Sequence, residues 1–466
     1  MIFMSVKDKM WQKQSLDKYL AKDNQFVKSL SAFDLMALGI GAVIGTGIFI
    51  LPGTVAALKA GPGIMLSFVI AAIVCATAAM CYAEFSAAMP VAGSAYSYGN
   101  VVFGEFIGWI LGWALILEYM LAVAAVSTGF SAYLSSFLAG FGVHLPTAIS
   151  GSFSPAHGTY FNLFAIVIVW LITWMLSHGM KSSVRVNNTM VVVKIAIIII
   201  FLLVGFFYVK PTNWHPFLPF GWKGVFGGAS TVFFAYLGFD AVSSSAAEVK
   251  NPQKAMPIGI IGTLVVATIL YILVSVVLTG MVPYKDLNVA NPVSFALQKV
   301  GQNWSAGVIS IGALAGMFTM MVTMIYSSSR LVYSIGRDGL LPKFLGKLQG
   351  EHHLPQHSLV IVTIIISILG GLVPLDQLTN LVNIGTLLAF TFVSIGIIPL
   401  RRNQAIPNDG FKVPGYPVLP IISAILCVGL MATLPAETWI ASIIWFVLGM
   451  IIYFSYGIRH ENISAQ

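Results

Sequence analysis

The chain has 466 residues, 58% hydrophobic and only 9% charged, with a mean hydropathy of +0.90; a soluble domain carries about 25% charged residues, so the composition is that of a polytopic membrane protein. Its 24 Lys and Arg exceed its 16 Asp and Glu, an excess that in a membrane chain reports loop placement and not a nucleic-acid surface. Cys75, Cys81 and Cys427 lie in or beside apolar runs with no Cys-x-x-Cys spacing, which excludes a disulfide framework and a thiolate metal site as readings.

The N-terminus is polar and Lys-rich, and Met10 to Gln25 has helical composition suited to lying along the inner membrane surface. The first apolar run starts at Phe33, too late and too long for a cleavable signal. That run, roughly 33–58, can cross a bilayer, for which about 20 apolar residues suffice. Its middle reads Gly39-Ile-Gly-Ala-Val-Ile-Gly-Thr-Gly47. Glycine costs about 1 kcal/mol per helix position relative to alanine, so Val43 to Gly47 is expected to leave the helix. Such a break is tolerated at membrane depth only where protein buries it or a cavity adjoins it. The helix restarting at Thr46 and Gly47 would aim free N–H groups and a positive dipole end into the gap, where a carboxylate fits. A small-xxx-small packing face is the bland alternative. A dinucleotide loop does not fit, because no strand precedes the glycines and no acidic residue follows about 20 positions on.

Twelve spans are expected at roughly 33–58, 62–88, 105–134, 160–178, 187–208, 226–247, 256–280, 305–335, 358–373, 378–400, 418–434 and 437–457. A second break is expected in the sixth, at Val232-Phe-Phe-Ala-Tyr-Leu-Gly-Phe-Asp240. The first and sixth spans each open a block of five, giving a cytoplasmic segment 1–32, a repeat over 33–208, a second, inverted repeat over 225–400, two appended helices over 418–457 and a tail over 458–466. Paired breaks in corresponding positions point to a midplane binding site between the repeats. Eighteen Lys and Arg fall in the N-terminus, the tail and alternate loops and five in the opposite loops, which puts both termini in the cytoplasm. The remaining one, Lys194, is inside the fifth span.

Five motifs then carry a resemblance: Gly39 to Phe49; Tyr82-Ala-Glu-Phe with Pro90-Val-Ala-Gly-Ser-Ala-Tyr-Ser-Tyr98; Phe233 to Asp240; Glu248-Val-Lys-Asn-Pro-Gln-Lys254; and Arg337-Asp-Gly-Leu-Leu-Pro342. In this order, along nearly the whole chain, they resemble the amino acid–polyamine–organocation (APC) superfamily of permeases, most of all its bacterial cationic-amino-acid-transporter-type branch. The resemblance implies an all-α integral membrane protein of the leucine-transporter type, 5+5 inverted repeat plus two helices, with helices 1 and 6 broken. It does not fix the substrate, since members carry neutral, cationic and acidic amino acids and amines.

Glu84, Glu118, Lys194 and Asp240 are the ionisable residues within the spans, and such groups are functional candidates because a central charge costs about 2.5–3.5 kcal/mol. Lys194, in Met190-Val-Val-Val-Lys-Ile-Ala-Ile, is too deep to snorkel and should face the bundle, where a lysine can serve as a proton carrier. In proton-coupled relatives a lysine here resembles a tethered stand-in for a sodium ion, which implies the proton as coupling ion, not sodium, and no other cofactor. The bland alternative is a static lysine satisfied by carbonyls or by Glu118. Glu118 offers a counter-charge and a proton relay, and the resemblance supports pairing it with Lys194. Asp240 suits an N-cap of the second half-helix, and Glu84 suits gating or packing near a span's cytoplasmic end. The resemblance also places a substrate carboxylate on the N–H groups of Thr46 and Gly47, an ammonium on carbonyls of Val43, Phe234, Ala235 and Leu237, a cover in Phe234, and room for the substrate side chain at Met324, with Met320 and Met321 close enough to exchange places with it. His352, His353 and His357 form a loose cluster interrupted by Pro355, which does not make a metal site.

The expected function is proton-coupled uptake of neutral, small to branched-chain L-amino acids across a bacterial plasma membrane, with the substrate and lipid as partners and no nucleic acid. A cationic amino acid transporter or an exchanger of the same fold is the alternative, and a membrane amino-acid sensor without net transport is the alternative of another class. An enzyme would need a catalytic set at one interface, and a channel a continuous polar stripe; the sequence offers neither. From the charge bias, a cysteine introduced in the 144–157 loop should react with an impermeant maleimide on intact cells and one in the 343–352 loop should not; the reverse pattern would overturn the orientation.

Overall fold

The computed structural model describes residues 9–23, 28–91, 93–178, 184–349 and 354–460. Gln25, the alanine at 92 in the second motif, His352 and His353 of the sequence analysis lie outside them. The described residues form helices joined by turns, with isolated bridges as the only extended pairing. Eight helical stretches are long and apolar enough to cross a bilayer: Leu51–Ala88, Glu105–Ala139, Asn188–Phe206, Gly221–Glu248, Pro252–Met281, Asn303–Arg337, Leu375–Arg402 and Ala436–His460. Four shorter apolar helices accompany them, Ala32–Val43, Leu163–Ser177, Gln356–Leu372 and Val418–Ala432.

Burial orders these helices from centre to rim. The Glu105–Ala139 helix is buried along 94% of its most apolar stretch, whereas Ala436–His460 is buried along 22% and shows Ile440, Ile443, Ile444 and Ile451 outward. An apolar exterior of that kind is what lipid tails cover. Asn303–Arg337 and Leu375–Arg402 pack on Glu105–Ala139, while Pro252–Met281 packs on Ala32–Val43 and Ile64–Ala88.

Helix starts follow local chemistry. Ser31 caps Ala32–Val43 in a reciprocal box, its hydroxyl oxygen accepting from the Asp34 amide at 3.3 Å while its own amide donates to the Asp34 carboxylate at 3.0 Å. The Asn188 side-chain amide donates to the other Asp34 oxygen at 2.9 Å, fastening a second helix to this entry. Asn162 caps Leu163–Ser177 by accepting from the Ala165 amide at 3.2 Å.

The N-terminal segment is part of the folded body. Gln14 N–H donates to Asn100 O at 3.1 Å, Glu105 N–H to Gln12 O at 3.2 Å, and the Lys9 ammonium to Ile458 O at 3.3 Å. Gly104, at φ +112°, lets this strap lie flat, because a Cβ there would stand 3.0 Å from the Trp11 backbone. The short helix Leu16–Asp23 buries Tyr19, whose hydroxyl accepts from the Asn100 side chain at 3.0 Å. Leu30 then pairs with Val249 in a parallel bridge, with Ser29 and Leu30 amides on Glu248 O and the Lys250 amide on Leu30 O.

Glu84 sits in a closed clamp. Its carboxylate accepts two hydrogen bonds from Arg401, both 2.7 Å, one from the Asn408 side chain at 2.9 Å and one from the Val413 amide at 2.6 Å. Arg401 also donates to Val413 O at 2.9 Å and stacks 4.3 Å from the Tyr416 ring. The clamp fastens the 403–417 connection to the helix Ile64–Ala88. Glu84→Ala leaves a guanidinium without its anion, and removing one partner of a buried pair costs about 3–5 kcal/mol; the thermal midpoint of the purified protein should fall, and an unchanged midpoint would show the clamp to be dispensable.

Candidate functional site

The first break is where the glycine spacing places it. The helix Ala32–Val43 ends at Val43, Ile44 is extended, Gly45 adopts φ −146° and ψ −132°, and helix resumes at Thr46. Thr46 and Gly47 hold the first two N–H groups of the resumed helix and precede its first intrahelical bonds. The Thr46 hydroxyl is fully buried and has no hydrogen-bond partner. It lies against Gly129, where a Cβ would approach it to 2.9 Å.

The second break follows Gly221–Val232. A 3-10 turn over Phe233–Tyr236 gives way to extended Leu237, then to Gly238 at φ +112°, and a 3-10 helix runs over Asp240–Glu248. Only glycine suits position 238, because the backbone is left-handed there and a Cβ would stand 2.9 Å from Ala42. The breaks touch at a second point, since a Cβ on Gly47 would meet Ala235 Cα at 2.6 Å. Residues 41–50 and 231–240 are buried throughout. The structure sets Gly47 against Ala235 and buries Val43, Thr46, Phe234 and Leu237 in the same two segments. The Phe234 carbonyl accepts one hydrogen bond, from Leu237 N–H at 3.2 Å.

Lys194 faces the bundle, 2% exposed, and its ammonium donates to Gly41 O at 2.9 Å and Ile44 O at 3.2 Å. These carbonyls end the first half-helix, where the helix dipole favours a cation. Its stem lies along Gly316, 3.2 Å from where a Cβ would stand. The pairing of Lys194 with Glu118 is not formed; Lys194 makes no ion pair among the described residues. Glu118 is instead within electrostatic reach of Asp240 and beside the Thr386 hydroxyl. One of its oxygens and both of Asp240's are buried without a hydrogen-bond partner, as are the Tyr82 and Tyr98 hydroxyls. Asp240 is not an N-cap: Phe239 occupies that position, and the Asp240 carboxyl lies near the Gly238 and Ala241 amides without an aligned hydrogen bond. The result is a buried acidic and phenolic cluster separate from the lysine. Glu84, held in its clamp, belongs to neither.

Met320 and Met324 are one helical turn apart and both buried, and the sulfur of Met320 lies 2.5 Å from where a Cβ on Gly45 would stand. Met320 is therefore the methionine that abuts the first break, on the face that Gly312 and Gly316 present to Ile197 and Lys194. Tyr271 is a site residue the sequence does not point to. Its hydroxyl lies 3.0 Å from Val43 O and 2.6 Å from Ala235 O, between the two breaks. A tyrosine in the middle of an apolar run is the one signal that marks it, and Tyr82, Tyr119 and Tyr133 share that signal.

Comparison with known proteins places the chain in a family. The profile of the family described as amino acid permease matches residues 30–452. The chain is 50% identical to the methylthioribose transporter of Bacillus subtilis (strain 168), covering 98% of this chain and 99% of that one. It is 47% identical to the branched-chain amino acid permease BcaP of the same organism, covering 98% and 100%, and 41% identical to BcaP of Lactococcus lactis subsp. cremoris (strain MG1363), covering 97% and 99%. With the profile and these relatives spanning nearly its whole length, the chain belongs to the amino acid permease family of the APC superfamily and is a membrane transporter, not an enzyme.

Proposed function

We propose that the protein takes up neutral L-amino acids, small to branched-chain, by proton-coupled alternating access on a twelve-span body of two inverted five-span repeats plus two helices, with both termini cytoplasmic. The observation that carries this reading is the polarity of the two buried breaks: free N–H groups at Thr46 and Gly47 suit a carboxylate, and carbonyls at Val43, Ala235 and Leu237 suit an ammonium. Phe234 covers the zwitterion, and Met320 and Met324 bound its side chain with flexible apolar surface. The names of the two BcaP relatives support branched-chain substrates.

Among the described residues that border the first break, the methionine is neutral and Lys194 is itself a cation, so a cationic side chain finds no counter-charge there. An unpaired charge in a desolvated site costs several kcal/mol, which disfavours arginine and lysine. Competition against labelled leucine uptake should therefore rank valine, isoleucine, alanine and serine above arginine and lysine; stronger competition by the cations than by every neutral amino acid would overturn the substrate class. The name of the most similar of the three relatives above supports a second reading, a methylthio-bearing sugar, and methylthioribose belongs in the same panel.

Lys194 is assigned the coupling role together with Glu118, because the lysine is buried on the carbonyls of a helix end that has to move, and the carboxyl is buried without a cation. When Lys194 loses its proton its hold on Gly41 and Ile44 weakens, and the first half-helix is released. Proteoliposomes with imposed pH or sodium gradients test this: wild-type protein should concentrate substrate on a pH gradient alone. Lys194→Ala should lose that accumulation while still binding substrate. A variant that still concentrates substrate on a pH gradient removes the lysine from the coupling mechanism.

A further inference from the structure

The two carbonyls at the centre of the proposed ammonium subsite already share a partner. Tyr271, from the helix Pro252–Met281, is completely buried and places its hydroxyl 3.0 Å from Val43 O and 2.6 Å from Ala235 O. The ring cannot wander. It lies 5.3 Å from the Phe68 ring and 5.2 Å from the Tyr236 ring, and Tyr236 is itself fixed by a 3.0 Å hydrogen bond from its hydroxyl to Phe68 O.

A phenol has one proton and a carbonyl oxygen has two lone pairs. Tyr271 thus donates to one of the two carbonyls at a time and leaves at least one lone pair on each. An ammonium, with three donors, can use those remaining lone pairs on both oxygens at once. We infer that Tyr271 is a positioning residue for substrate recognition: its hydroxyl holds the carbonyl ends of the two broken helices at a fixed separation that an ammonium can span. A hydroxyl suits this task better than the alternatives. A lysine would repel the ammonium, and a phenylalanine would remove the one proton that the two buried acceptors share. The division of labour with Lys194 is spatial: the lysine braces Gly41 and Ile44 of one break, whereas Tyr271 bridges both breaks.

This inference rests on the amino acid reading above. Tyr271→Phe keeps the ring and its packing and removes one oxygen. The half-saturating leucine concentration should rise about 10-fold as the two carbonyls lose their fixed separation, both in proteoliposome uptake and in the leucine-induced thermal shift of the purified protein. The maximal uptake rate should stay within about two-fold of wild type, because the carboxylate end and the coupling residues are untouched. N-Methyl-leucine, with one donor fewer, should compete poorly with leucine in the wild type, and that preference should shrink in the variant. Equal weakening of both ligands, or an unchanged half-saturation, overturns the role of Tyr271 while leaving the amino acid reading intact. A wild-type protein that gives no saturable leucine shift overturns both.

Discussion

Peptide groups that leave a helix at membrane depth have to find partners inside the protein, since hydrocarbon offers none. That constraint organises this chain. Two helices come apart near their middles, and the surrounding side chains are arranged around the exposed backbone. The Lys194 ammonium caps one set of carbonyls, the Tyr271 hydroxyl bridges another, and glycines at 47 and 238 let the two broken segments approach until backbone meets backbone. Polar groups left open by this arrangement are the ones a substrate can engage. The proposed binding site is thus what remains after the packing of two defects against each other has been completed.

Much of this was legible in the sequence because it rests on residue types with narrow physical uses. Glycine alternating with small residues inside a span-length apolar run marked the first break, and Leu237-Gly-Phe marked the second. The depth of Lys194 told that it faced inward. Partnerships were another matter. Lys194 and Glu118 bear opposite charges on the third and fifth spans, and the resemblance supports pairing them. Unwinding at Ile44 instead presents the carbonyls of Gly41 and Ile44, which hold the lysine. Asp240 failed as a cap for a related reason: the chain resumes as a tight 3-10 turn one residue early, with Phe239 in the capping place. Tyr271 was invisible because its role depends on carbonyls from two distant segments, and in a span that is apolar all round no periodicity shows which way a side chain points.

The relatives sharpen what controls specificity. Two proteins of nearly equal identity to this chain, 50% and 47%, are named for a methylthio sugar and for branched-chain amino acids. Identity spread over a whole permease reports the scaffold, which both share. On the reading proposed above, selectivity lies in the few side chains that border the breaks, among them Met320, the buried Thr46 hydroxyl and aromatic rings. Methionine fills irregular space and adapts to different apolar shapes, so one scaffold can turn to chemically distinct cargo with few changes.

The N-terminal strap has a consequence for how the molecule is made. Lys9 is bound to Ile458, 449 residues further along the chain, and Gln12 and Gln14 are bound near residues 100–105. The partners at residues 100–105 are synthesised long before Ile458, so the Gln12 and Gln14 contacts can close early, whereas the Lys9 contact has to wait until Ile458 has left the translocation machinery. The strap is thus fastened in two stages, separated by the insertion of most of the helices.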